Sequence, residues 1–84
     1  VLFRSDALQQ GDKLVRLGGL RVLRIGEEVF VNGERLDSPH RPALEAIASH
    51  MVLSADTFGD ALDDPSFLAM LAALVNSGYW FFED

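Results

Sequence analysis

The 84 residues hold two imidazoles, His40 and His50, and no cysteine. A non-haem iron site takes two histidines and one carboxylate on a common face. Neither histidine opens a His-x-Asp/Glu pair, because the residues two places on are Pro42 and Val52. They read instead as a loop residue (His40) and a helix-end residue (His50), the latter well placed against the negative end of a helix dipole. Asp60, Asp63 and Asp64 are close enough to suggest a calcium loop, but they lack the alternating ligands and closing Glu of an EF-hand. Acids at helix N-termini are the better description. Ser38, Ser49, Ser54, Ser66 and Ser77 include no Gly-x-Ser-x-Gly elbow and read as caps and turns. Gly18-Gly19 lacks the Gly-Lys-Ser/Thr ending of a phosphate loop. Without cysteine there is no thiolate nucleophile, zinc-thiolate site or disulfide framework. No catalytic, cofactor-binding or metal-ligating residue is therefore expected in this chain.

Two groups remain. Tyr79-Trp80-Phe81-Phe82 is an aromatic run whose alternation as a strand would bury two rings and leave two outside. An interface and plain core packing account for it equally well. The second group is the charge. Seven Lys+Arg against 13 Asp+Glu give a net charge of −6. All seven basic residues lie between Arg4 and Arg41, whereas residues 42–84 carry seven acids and no base. That acidic half could steer a basic partner, with Asp60, Asp63 and Asp64 as its steering residues.

The elements that must position these groups change character midway. Asp6–Gln10 reads as a helix end with Gly11 just past it. Leu14–Leu17 and Leu20–Ile25 read as strands joined by a Gly18-Gly19 hairpin. Val29–Val31 follows, and Asn32-Gly33, the strongest hairpin dipeptide, returns the chain along Arg35–Asp37. The first half is thus expected to be one antiparallel meander. Ser38 and Pro42 then fit a helix entry, with Leu44, Ile47, Ala48 and Met51 on its buried face. Ser54 caps a short helix running to Leu62. Asp64-Pro65 starts a third helix with Phe67, Leu68, Leu71, Leu74 and Val75 as its apolar stripe, closed by Asn76-Ser77-Gly78. The aromatic run is the last strand. The sum is an α+β, winged-helix-like domain: a small antiparallel β-meander, three helices and a C-terminal aromatic strand.

A winged helix raises DNA binding. The Pro65–Asn76 helix has no basic residue, which argues against it. Arg16, Arg21 and Arg24 are expected to solvate the sheet or to pair with Glu27 and Glu28. The longest apolar run, Phe67–Val75, has nine residues against the roughly 20 of a membrane span, and no signal peptide is visible. A soluble, cytoplasmic chain is expected. The chain does not begin with Met, and the expectation is a fragment of a longer polypeptide.

Leu14-Val15-Arg16-Leu17-Gly18-Gly19-Leu20-Arg21-Val22-Leu23-Arg24-Ile25-Gly26 resembles the opening of the C-terminal domain of bacterial ribosomal oxygenases. Asn32-Gly33-Glu34-Arg35-Leu36 through Leu44, and Asp64-Pro65-Ser66-Phe67 through Asn76-Ser77-Gly78-Tyr79-Trp80-Phe81-Phe82-Glu83, extend the likeness. These are the YcfD/RoxA-type enzymes of the JmjC/cupin family, arginine hydroxylases of large-subunit ribosomal protein 16. The resemblance runs from about Asp6 to the end. Residues 1–5 fall outside it and read as a leader or scar, which leaves residues 6–84 as a single C-terminal domain. It implies a parent with a cupin barrel, a helical dimerisation segment and this winged helix. The barrel would bind Fe(II) through His-x-Asp…His, with 2-oxoglutarate as co-substrate, to hydroxylate the β-carbon of an arginine. The parent would be a homodimer. No iron ligand of that pattern has a counterpart here, so this chain alone is expected to be inactive. The other reading is a stand-alone acidic winged-helix module for protein interaction.

Overall fold

The computed structural model describes Phe3 and residues 5–83. Val1, Leu2 and Arg4 of the expected leader lie outside the described residues, as does Asp84. Helix α1 (Ser5–Gln9) opens the fold, and Gly11, at φ +105°, ends it. Strands β1 (Leu14–Arg16), β2 (Val22–Ile25), β3 (Glu28–Val31) and β4 (Glu34–Leu36) follow. Then come helix α2 (Arg41–Ser49), strand β5 (Val52–Leu53), helix α3 (Ala55–Phe58) with its 3-10 continuation Gly59–Asp63, helix α4 (Pro65–Asn76) and strand β6 (Trp80–Phe82).

The expected single meander is two sheets. β2, β3 and β4 form one, in chain order and antiparallel. Its tight turns are those the sequence marks. Gly26, at φ +62°, takes the first central position between Ile25 and Glu28. Asn32 and Gly33 sit at +52° and +89°, the two positive angles of a type I′ hairpin. β1 belongs elsewhere. It is the central strand of the sheet β5-β1-β6, pairing Leu14 with Leu53 on one side and with Phe82 on the other. Gly18-Gly19 is therefore not a hairpin between paired strands. It lies in a turn, closed by the Leu20 N–H on the Leu17 carbonyl at 3.3 Å, that carries the chain from one sheet to the other. The reason is burial: Leu14 is 1% exposed and needs neighbours on both sides, which the solvent-facing β2 does not supply.

The helix starts follow local chemistry. Ser54 and Thr57 make a capping box on α3, as the Ser54 reading requires. The Asp64 carboxylate accepts the Ser66 N–H at 2.9 Å, with Pro65 in the first turn of α4. Past the end of α4, Gly78 at φ +83° closes a Schellman motif: its N–H donates to Val75 O, and that of Tyr79 to Leu74 O. Phe67, Leu71, Leu74 and Val75 are the buried face of α4, and Leu68 is half-buried.

α2 differs at both ends. Its N-cap is His40, whose own N–H donates to the Ser38 hydroxyl at 3.1 Å. It stops at Ser49, so Met51 lies beyond the helix and is 55% exposed rather than buried. The chain there is already extended toward β5, a strand the helical spacing had concealed. One core joins the layers, centred on Trp80, Phe67, Leu8, Leu14, Ile47, Leu53 and Leu71.

Candidate functional site

The histidines do not converge. His50 is the exposed C-cap of α2, in extended backbone. The charge at that helix end comes instead from Arg16 on β1, which neither solvates the sheet nor pairs with Glu27 or Glu28 as expected. Its Nη2 donates to the carbonyls of Ile47 (2.7 Å), Ala48 (3.2 Å) and His50 (3.1 Å). These carbonyls at the α2 C-terminus would otherwise lack helical partners. The guanidinium also lies 5.6 Å from the Trp80 ring centroid. Burial pushes its pKa below the usual arginine value.

His40 meets Asp64. Nε2 lies 2.7 Å from Oδ2, and the imidazole ring sits edge-on to Phe67 at 5.7 Å. Asp64 is held below the usual carboxylate range, first by the His40 hydrogen bond and then by the Ser66 N–H. An ionised carboxylate only accepts, so His40 Nε2 carries the proton of this bond. Asp60 and Asp63 are exposed on the 3-10 segment. The three acids are thus divided: two face solvent, and the third is committed to two helix caps.

The remaining arginines pair differently from expectation. Arg24 meets Glu45 of α2 at 2.8 Å, and Glu27 is taken by Arg41 at 3.1 Å. Glu28 approaches Arg35 at 4.0 Å. The first two pairs line a cleft of about 250 Å3 between the β2-β3-β4 sheet and α2. Each charge in it has a partner of opposite sign, so the four side chains sum to no net charge.

The aromatic run divides by strand alternation. Trp80 is 1% exposed and is a core residue, so it presents no surface. Phe82 is half-buried and stacks on Phe3 at 6.1 Å. Phe81 points outward, 44% exposed, and Tyr79 is half-buried with its hydroxyl accepting from Asn32 Nδ2 at 3.2 Å. Outside the sheet, Phe81 lies across from Val15 and Val15 across from Val52. The sequence marked Phe81 but not this row, which exists only once β1 is central.

Among the described residues, no group of three His, Asp or Glu side chains is placed to hold a metal ion. The His40–Asp64 pair does not fit the Fe(II) site that the resemblance implies. It lacks a third ligand, and its facing atoms are already bonded to each other. No helix among the described residues is long and apolar enough to cross a membrane.

The sequence profile of the ROXA-like winged helix matches residues 4–81. The chain belongs to that family. Over 78 residues it is 77% identical to the ribosomal protein uL16 3-hydroxylase of Escherichia coli, covering 93% of this chain and 21% of that protein. The solved structure of the E. coli ribosomal oxygenase YcfD in complex with cobalt and 2-oxoglutarate superposes with a TM-score of 0.92, at 75% identity, over 95% of this chain and 22% of that one. A second E. coli YcfD structure gives 0.92 at 70% identity over 98% and 23%. This member of the ROXA-like winged-helix family thus spans about a fifth of the length of the relatives it matches.

Proposed function

We propose that this chain is the C-terminal winged-helix module of a 2-oxoglutarate- and Fe(II)-dependent arginine 3-hydroxylase acting on ribosomal protein uL16. Near-complete coverage of the chain by a likeness to the E. coli uL16 3-hydroxylase carries this reading. The hydroxylation, the iron and the 2-oxoglutarate belong to the rest of the longer polypeptide. This module contributes architecture: a rigid core under two sheets, with helix caps tied together by His40–Asp64 and Arg16. It also contributes charge. Ribosomal proteins are basic as a class, and Asp60 and Asp63, exposed in a half of the sequence that holds no Lys or Arg, attract a basic polypeptide at long range. The longer protein is read as a homodimer working in the cytoplasm, where ribosomes are. DNA is not a partner, since α4 offers no cation to a phosphate backbone.

The deciding experiment expresses the natural reading frame that contains these residues and incubates it with uL16, 2-oxoglutarate, Fe(II) and oxygen. Mass spectrometry should find one added oxygen atom on an arginine of uL16. A polypeptide encoding no cupin barrel, or one giving no hydroxylated arginine, overturns the assignment.

A further inference from the structure

Asn32 ties the β2-β3-β4 sheet at three points. Its side-chain Nδ2 donates to the Tyr79 hydroxyl at 3.2 Å, which joins the β3–β4 turn to the residue before β6. Its backbone N–H donates to the Arg21 carbonyl at 2.7 Å, beside the first β2–β3 pair, Val22 with Val31. Its φ of +52°, the only positive one on a non-glycine residue among the described residues, makes the turn itself. The next residue is Gly33, and Asn-Gly is a reactive pair. Glycine has no side chain to shield its nitrogen, and asparagine is among the thermolabile residues. The Gly33 nitrogen, after losing its proton to a base in solution, can attack Asn32 Cγ. The N–Cγ bond forms, the Cγ–Nδ2 bond breaks, and ammonia leaves carrying a proton from solvent, which closes a five-membered succinimide. Water then opens either carbonyl to give Asp or isoAsp. Asn32 and Gly33 are both exposed, so water and base reach them.

We propose that Asn32 is a self-deamidation site gated by the fold, with the Tyr79 hydroxyl as its latch. The closed turn forbids the attack. A type I′ turn is the mirror image of type I, which sets ψ of its first central residue to about +30°. At that angle the Gly33 nitrogen lies nearly anti to Asn32 Cβ, whereas ring closure needs the two nearly eclipsed. The bond to Tyr79 holds the amide in place as well. Conversion therefore waits for the turn to open, and its rate follows the open population. The product does not restore the turn. IsoAsp adds one main-chain atom to the loop between Val31 and Glu34, and their pairing cannot absorb it. Asp keeps the chain length, but its carboxylate has no N–H to give, so the bond to Tyr79 survives only with the phenol as donor. Either product adds one negative charge to a chain already at −6.

The full-length polypeptide is incubated in mildly alkaline buffer, with and without urea, and peptide mapping by mass spectrometry follows Asp and isoAsp at position 32. Hydroxylation of uL16 plays no part in the readout, so the result stands apart from the proposed activity. Asn76, followed by Ser77, is the internal control. Asn32 should convert about tenfold or more faster in urea than in the fold. In the fold, Tyr79→Phe should convert about fivefold faster than the wild type, the change in open population for one lost neutral hydrogen bond. Ile47→Val on α2 weakens the core but removes no atom of the turn, and should leave the rate unchanged. Equal rates for the wild type and Tyr79→Phe, or no conversion in either, overturn the proposal. Equal acceleration by Ile47→Val and Tyr79→Phe assigns the reaction to global unfolding and overturns the gate. Asn76 converting as fast as Asn32 in urea removes the Asn-Gly pair as the cause and overturns the site.

Discussion

The imidazole of His40 and the carboxylate of Asp64 join the first turns of two helices, Nε2 to Oδ2 at 2.7 Å. Each residue is itself a cap, His40 of α2 and Asp64 of α4. Because the bond depresses the Asp64 pKa, its stabilising contribution is present above the ordinary carboxylate pKa of about 3.9. It is lost as pH falls through the lower folded value. Thermal melts of the wild type should drop steeply below about pH 4, and those of Asp64→Asn should drop less there. Parallel pH curves for the two proteins would show that this pair contributes nothing pH-dependent.

Arg16 closes α2 with three carbonyls at once. Arg16→Met should cost about 2 kcal/mol, the scale of hydrogen bonds to a charged group, in urea unfolding. Arg16→Lys should recover only part of this, since an ammonium does not stack on the Trp80 ring as the planar guanidinium does. Full recovery by Lys would mean that charge alone matters at this helix end.

Trp80 fills the core but leaves its Nε1 without a partner among the described residues. Trp80→Phe removes that unpaired donor along with some volume. It should be milder than Leu71→Ala, a pure truncation at a site 1% exposed, which should cost about 2–5 kcal/mol. A Trp80→Phe variant less stable than Leu71→Ala would point to a bond at Nε1.

Gly33 and Gly18 look alike in sequence and should respond differently. Gly33→Ala forces a side chain into a positive φ of +89° and should cost about 1–2 kcal/mol. Gly18 has no positive φ and open space around a Cβ, so Gly18→Ala should stay within about 0.5 kcal/mol of the wild type. Equal losses in denaturant midpoint would contradict the split of the meander.

Steering by Asp60 and Asp63 can be separated from structure because both are exposed. In the full-length polypeptide, Asp60→Asn with Asp63→Asn should lower kcat/KM for uL16 at low ionic strength. The difference should fade as salt shortens the Debye length from about 30 Å at 0.01 M to 8 Å at 0.15 M. A salt-independent change would point to a direct contact instead. Asp64 is kept intact here, since its loss would also uncap α4.

What could be seen without the structure was local. Asn32-Gly33, Ser54, Asp64-Pro65 and Gly78 act on backbone within about four residues, so their types alone located the turn, caps and helix end. The 3.6-residue spacing from Phe67 to Val75 located the buried face of α4 for the same reason. The family likeness was also carried by residue order alone.

Everything decided by distant partners had to wait for the tertiary structure. β1 could as well have paired with its neighbour β2, and only the burial of Leu14 between Leu53 and Phe82 excludes it. That choice places Arg16 on carbonyls 31 to 34 residues away and hides Trp80. It also creates the Val52–Val15–Phe81 row, from three strands far apart in sequence. His40 and Asp64 stand 24 residues apart and meet only because two helix starts pack together. Strand pairing and cap-to-cap contact are settled by the free energy of burying apolar surface over the whole domain, and no short stretch of sequence contains that sum.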